Sequence, residues 1–207
     1  RAWANCACCW WSPTRAAWLD SGCVSVITEC MRTRLLIPGW GGSGPDHWQT
    51  RWERELRGAR KIELPGWFEP APGPWIEAID RAVVRAIATS GQPPIVIAHS
   101  LGCVAVAAWA ARHRRPIAAA MLVAPCDCED PRASAALRGF APMPRARLPF
   151  PTRVVVSDDD PYIGAAAAAT LAADWGAALT VVAGAGHLNA ASGHGAWPEG
   201  QALLRAH

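Results

Sequence analysis

From Arg34 onward, short apolar runs rich in β-branched residues alternate with longer stretches whose apolar side chains recur every three or four positions. This rhythm predicts parallel strands joined by crossover helices. Six strands are expected, at Arg34–Ile37, Lys61–Leu64, Ile95–Ala98, Ala119–Val123, Arg153–Val156 and Leu179–Val182. Most lack a polar alternation, as expected for strands covered by helices on both faces. Helices are expected at about Asp46–Leu56, Trp75–Ser90, Leu101–His113, Gly164–Trp175 and Trp197–Ala206. The long connection between Cys126 and Pro151 reads as irregular chain that folds over a site but is too short for a large lid domain.

The first thirty residues break this pattern. They hold five of the eight cysteines and four of the twelve tryptophans. Cys6, Cys8 and Cys9 are too crowded for zinc ligand pairs, and Asp20 and Glu29 interrupt any signal-like apolar core. Position 1 is not Met, and Met31 immediately precedes the first strand. Residues 1–30 are therefore expected to be upstream sequence, poorly structured and without chemistry, and residues 31–207 to form one domain. Only Cys103, Cys126 and Cys128 remain for that domain, so no disulfide framework is indicated and a cytoplasmic location is expected.

Charge narrows the function classes. The 20 basic and 17 acidic side chains give a net charge of +3 without a run of one sign, so nucleic-acid binding is unsupported. No uninterrupted apolar stretch is long enough to predict a membrane span.

The strongest local signal is Ile95-Val96-Ile97-Ala98-His99-Ser100-Leu101-Gly102, an apolar strand running through Ser100 into an Ala-rich helix. A serine at such a sharp turn needs small neighbours two places to either side, and Ala98 and Gly102 meet that need, although glycine is the usual residue at the first position. A serine before a helix is otherwise an ordinary N-cap. At this helix start the Leu101 amide can stabilise an anionic oxygen. A second donor is expected from Pro38-Gly39-Trp40-Gly41-Gly42, with Trp40 preferred and Gly39 the alternative. Gly39 and His99 are also expected to border the substrate.

A serine hydroxyl needs an imidazole to take its proton, and the imidazole needs a carboxylate. Ser157-Asp158-Asp159-Asp160-Pro161-Tyr162 follows the fifth strand and Gly184-Ala185-Gly186-His187-Leu188-Asn189 the sixth. The order Ser, Asp, His at successive strand ends selects Ser100 as nucleophile, Asp160 as acid and His187 as base. Asp158 and Asp159 are assigned to capping or solvating the loop. His194 is the competing base. His47 is expected near the start of a surface helix, and His113 and His207 near helix ends, all solvated. Trp40, Trp48, Trp67 and Trp75 suit either an apolar acyl site or the core, with the core favoured.

These motifs, with His47-Trp48, Gly186-His187-Leu188-Asn189-Ala190-Ala191-Ser192-Gly193 and Trp197-Pro198-Glu199-Gly200, give a pattern that resembles the small serine hydrolases of the YdeN and retinoblastoma-binding-protein-nine type. The resemblance covers nearly all of residues 31–207 and implies a three-layer α/β-hydrolase fold without a large lid, a triad of Ser100, Asp160 and His187, and hydrolysis of small esters or related acyl compounds. It also implies no metal or organic cofactor. The contrasting reading is a protein-interaction module that keeps the fold with little catalysis. Partner proteins, oligomeric state and the choice between ester, thioester and amide are not readable from the sequence.

Overall fold

A computed structural model describes residues 32–206. The expectations for residues 1–30, and that for His207, lie outside the described residues.

Six strands, β1 (Arg34–Ile37), β2 (Ala59–Lys61), β3 (Ile95–His99), β4 (Ala119–Val123), β5 (Thr152–Ser157) and β6 (Ala178–Val182), form one sheet in the order β2-β1-β3-β4-β5-β6. Every neighbouring pair is parallel. The helices are α1 (Trp48–Glu55), α2 (Pro72–Ser90), α3 (Leu101–Arg112), α4 (Ala135–Arg138), α5 (Ala165–Asp174) and α6 (Pro198–Arg205).

Strand periodicity divides the core into two layers, because successive side chains point to opposite faces. Leu35, Ile37, Val96, Ala98, Ala120, Leu122, Val154 and Val156 join the buried residues of α2, α3 and α5. Leu36, Ile95, Ile97, Met121, Val123 and Val155 join Trp48 and Trp52 of α1 and the chain around Trp197. Trp48 and Trp75 are completely buried, which settles them as core.

Three expectations need correction. β2 begins at Ala59, earlier than the apolar pattern indicates, although Ile62 and Leu64 are buried and the Ile62 amide still donates to the Leu36 carbonyl. Burial of Ile62 and Leu64 is therefore achieved by chain leaving the sheet, which apolarity alone does not distinguish from a strand. β6 is an edge strand with Leu179 and Val181 exposed, so the sheet is not internal throughout. The connection before Pro151 contains the short helix α4, capped by Ser134, whose side chain accepts from the Leu137 amide.

The chain passes from β1 to β2 on one side and then returns to β3 on the other side of β1. Such a divergence opens a crevice at the carboxyl ends of β1 and β3. Ile37 of β1 pairs with Ala98 of β3, so the Gly-rich loop and Ser100 leave the sheet beside each other.

Candidate active site

Ser100 stands between β3 and α3 with φ 54° and ψ −126°, a conformation that L-residues adopt only under constraint. Its neighbours impose the constraint. A Cβ on Gly102 would lie 2.6 Å from the Pro38 carbonyl oxygen and 2.7 Å from that of Ile37, so α3 reaches its position only because residue 102 has no side chain. A Cβ on Gly39 would lie 2.8 Å from the Ser100 Cβ. Ala98 is fully buried and accommodated.

The Ser100 hydroxyl lies 2.9 Å from His187 Nε2, and His187 Nδ1 lies 2.9 Å and 3.0 Å from the two Asp160 carboxylate oxygens. An ionised carboxylate only accepts, so Nδ1 carries the hydrogen and Nε2 presents its lone pair to Ser100. All three residues are buried. Asp160 Oδ1 also accepts from the Tyr162 amide, and the Tyr162 ring packs on the His187 ring with centroids 4.4 Å apart. His194, the competing base, instead hydrogen-bonds Ser192 and packs edge-on against Trp197.

The positions preceding Asp160 have a role that sequence reasoning assigned only loosely. Asp158 accepts from the Gly184 amide, the Ser157 hydroxyl from Ala185, and Asp159 from Gly186, at 2.7–2.8 Å. Ser157 also donates to Asp159. Four consecutive residues, from Ser157 at the end of β5 to Asp160, thus hold four consecutive residues after β6, the last contact being the carboxylate on His187. The sequence signal for this brace is the unbroken run of short polar side chains facing a Gly-Ala-Gly segment.

His47 departs most from expectation. Its side chain caps α1, accepting from the Gln49 amide, but the ring is buried among Trp48 and His99 rather than solvated. Burial, aided by the His187 imidazole and Lys61, lowers its pKa to about 4. His99 is also buried, and its Nε2 donates to the His187 carbonyl oxygen at 3.0 Å, so its visible contact is with the residue next to Ser100 in space. Burial, with His47 and His187 adding to it, holds the His99 pKa well below the usual imidazole range. Both rings are therefore neutral at neutral pH. His113 likewise is not simply solvated: it packs along Trp109 and lies 3.3 Å from Asp80.

A cleft of about 140 Å³ opens over Ser100, bordered by Gly39, Trp40, His47, Leu137, Tyr162 and Asn189 among others. Leu137 belongs to α4, so the long connection does lie over the site. Trp40 and Tyr162, exposed at 42 % and 46 %, also border an adjoining hollow of about 260 Å³. Trp67 packs under Trp75, and its carbonyl fixes the Gly41 amide at 2.9 Å.

Cys126, hydrogen-bonded to Cys128 and buried, and Cys103, buried, are both held well above the usual thiol range and stay protonated. Among the described residues no group of three or more His, Cys, Asp or Glu side chains is placed to hold a metal ion. None of their helices is long and apolar enough to cross a membrane.

Comparison with known proteins places this geometry in context. A structure of a YdeN-like hydrolase from Pectobacterium atrosepticum shares 29 % identity, with a TM-score of 0.74 over 88 % of this chain and 94 % of that one. The ydeN gene product of B. subtilis shares 19 % identity with a TM-score of 0.67, over 84 % and 97 % of the two chains. Est1E from Butyrivibrio proteoclasticus shares 14 % with a TM-score of 0.63, over 85 % and 89 %, and speaks for the fold alone. A comparison with curated protein sequences returns no match. The serine hydrolase family model matches residues 34–206, which span the whole sheet, the turn at Ser100 and both loops that meet it, and the chain belongs to that family, with YdeN-like hydrolases among its structural relatives.

Proposed function

We propose that the chain cleaves small carboxylic esters, or closely related acyl compounds, through a triad of Ser100, His187 and Asp160. The observation that carries this reading is the pair of 2.9 Å contacts that leads from the Ser100 hydroxyl through His187 to Asp160 at a constrained turn. His187 Nε2 takes the hydroxyl proton as Oγ bonds to the substrate carbonyl carbon, and the electron pair of the C=O bond moves to oxygen. Collapse of this intermediate expels the alcohol, which leaves with the proton from His187. Water, deprotonated by the same nitrogen, then attacks the acyl-Ser100 ester and releases the acid. Asp160 holds the imidazole in the required tautomer and stabilises its positive form.

The oxyanion falls to the Leu101 amide at the free start of α3 and to one amide of the Gly-rich loop. The Gly41 and Gly42 amides already donate to the Trp67 and Gly39 carbonyls. This favours Trp40, with Gly39 as the alternative, and leaves Gly39 and His99 at the substrate's border. The small cleft suits a compact acyl substrate rather than a polymer. Structures of Est1E, one with ferulic acid bound, and of an esterase domain from Rhodothermus marinus share the fold, which is in keeping with ester chemistry. Among the described residues Cys103, Cys126 and Cys128 are free and buried, in accord with a reducing cytoplasm.

The test is covalent labelling by a fluorophosphonate, together with turnover of a short-chain p-nitrophenyl ester. Ser100→Ala is expected to abolish labelling, and Ser100→Ala or His187→Ala to lower kcat on the order of 10⁴-fold or more. Undiminished labelling of Ser100→Ala would overturn the assignment. Absence of both labelling and turnover in the unaltered protein would favour a non-catalytic interaction module.

A further inference from the structure

His47, which borders the cleft, is left with an unmet hydrogen bond. Its Nδ1 accepts from the Gln49 amide at 3.2 Å. A backbone N–H can only donate, so Nδ1 holds the lone pair and, in the neutral ring, Nε2 holds the hydrogen. Nε2 is shielded from solvent and has no hydrogen-bond partner, although His47 is 7 % exposed and borders the same cleft as Ser100, Trp40 and Asn189. The ring cannot turn over to relieve this without losing its bond to Gln49. Nor can the chain easily shift beneath it. The His47 carbonyl accepts from Thr50 and Arg51, while the Gln49 side chain donates to the Ile37 carbonyl at the end of β1 and the Ile97 carbonyl in the middle of β3.

We propose that His47 Nε2–H is a specificity-determining donor that selects acyl compounds carrying an additional acceptor oxygen, an ether, hydroxyl or carbonyl, close to the reacting ester. This inference rests on the ester-cleaving reading above and names the substrate class within it. A buried donor without a partner costs free energy whenever the occupant cannot accept from it. A site with such a group therefore discriminates against a hydrocarbon isostere far more strongly than an apolar pocket discriminates against an extra methylene. The low pKa of His47 supports the same assignment, because the ring stays neutral and Nδ1 remains an acceptor at neutral pH. The groups around it fit this state: Lys61 and the His187 ring both disfavour a second positive charge, and the His99 and Trp48 rings pack against it.

The two functions of the imidazole can be separated. His47→Asn keeps an acceptor near Nδ1 for the Gln49 amide but does not reach the Nε2 position. His47→Gln places an amide N–H near Nε2 and gives up the short capping contact. The substrates are matched esters differing by one oxygen for one methylene, beginning with p-nitrophenyl methoxyacetate and p-nitrophenyl butyrate. Further pairs move the oxygen along the acyl chain and into the alcohol. Changes in the selectivity ratio between variants cancel the intrinsic reactivities of the two esters.

In at least one pair, His47→Asn is expected to lower the oxygenated-over-hydrocarbon ratio of kcat/KM by about tenfold or more, with little change in melting temperature. His47→Gln should retain most of the ratio while melting lower. Binding of the same pairs to Ser100→Ala protein, followed by calorimetry, gives the readout without turnover and so separates this inference from the proposed chemistry. There, too, the oxygenated member should bind about tenfold tighter, and adding His47→Asn should erase the difference. Equal binding of both members of every pair to the Ser100→Ala protein would overturn the proposal. So would an unchanged ratio in His47→Asn, or a complex in which Nε2 donates only to an internal water.

Discussion

The turn that carries Ser100 and the two loops that carry Asp160 and His187 are placed by opposite means. The serine turn is held by exclusion, since the Ile37 and Pro38 carbonyl oxygens at the end of β1 occupy the space where a side chain at 102 would begin, and Ser100 Cβ and the His99 carbonyl oxygen crowd the space where one at 39 would begin. The acid and base loops are held by attraction, through three side-chain-to-amide bonds running in parallel between residues 157–159 and 184–186. A steric constraint of this kind fails abruptly, because a carbonyl in a packed sheet cannot yield by an ångström without moving its strand. A hydrogen-bonded brace weakens by degrees, because each bond is modest and the others remain.

The largest effect should therefore come from one methyl group at the serine turn. Gly102→Ala sets a carbon 2.6–2.7 Å from two carbonyl oxygens of the β1 end, so α3 and β1 must part, carrying Ser100 and Gly39 away from each other. The expected cost is about 3 kcal/mol. Fluorophosphonate labelling of Ser100 should nearly vanish in whatever protein remains folded. Near-normal stability and labelling would mean that the turn is not set by this contact.

The brace offers a graded comparison. Ser157 is buried, and its hydroxyl is the partner of the equally buried Ala185 amide. Ser157→Ala leaves that amide unsatisfied, at a cost of about 1–3 kcal/mol. His187 lies two residues beyond, and loss of its alignment should lower kcat by roughly tenfold while the Ser100 turn stays intact. Thermal melting and ester turnover measured on one preparation check both figures. A fall in stability without a fall in kcat would show that Asp160 alone aligns the imidazole.

The same contrast explains what could be read from the sequence. The strands around Ser100 were legible because buried parallel strands concentrate β-branched residues, and the small residues at 98 and 102 mark the turn whatever lies around it. Asp160 and His187 were legible as residues at later strand ends, and the structure brings them to Ser100. The brace was only loosely legible: the polar run Ser157-Asp158-Asp159 stands out, but it acts on backbone amides, which carry no residue identity to pair with. His47 was misread for a related reason. A histidine ahead of a helix resembles a solvated cap, and only the packing of Trp48 and His99 around it shows that the ring is enclosed. β6 misled in the other direction, since its apolar sequence gives no sign that Leu179 and Val181 are left exposed.

The smallest expected effect isolates the charge in the brace. The Asp159 pKa lies below its usual 3.8, first because the Ser157 hydroxyl donates to it and then because the Gly186 amide does. A carboxyl whose pKa is lowered by folding stabilises the folded form above its unfolded pKa, and that contribution disappears as pH falls through the folded value. Asp159→Asn keeps an oxygen to accept from Gly186 but has no charge. Its melting temperature should lie slightly below that of the unaltered protein at pH 7, and the difference should close as the pH is taken below about 3.8. Because Asp159 is exposed, added salt should also shrink the pH 7 difference. A difference that persisted at acid pH, or that resisted salt, would assign the role of Asp159 to shape rather than charge, and the brace would then differ less from the serine turn than its hydrogen bonds indicate.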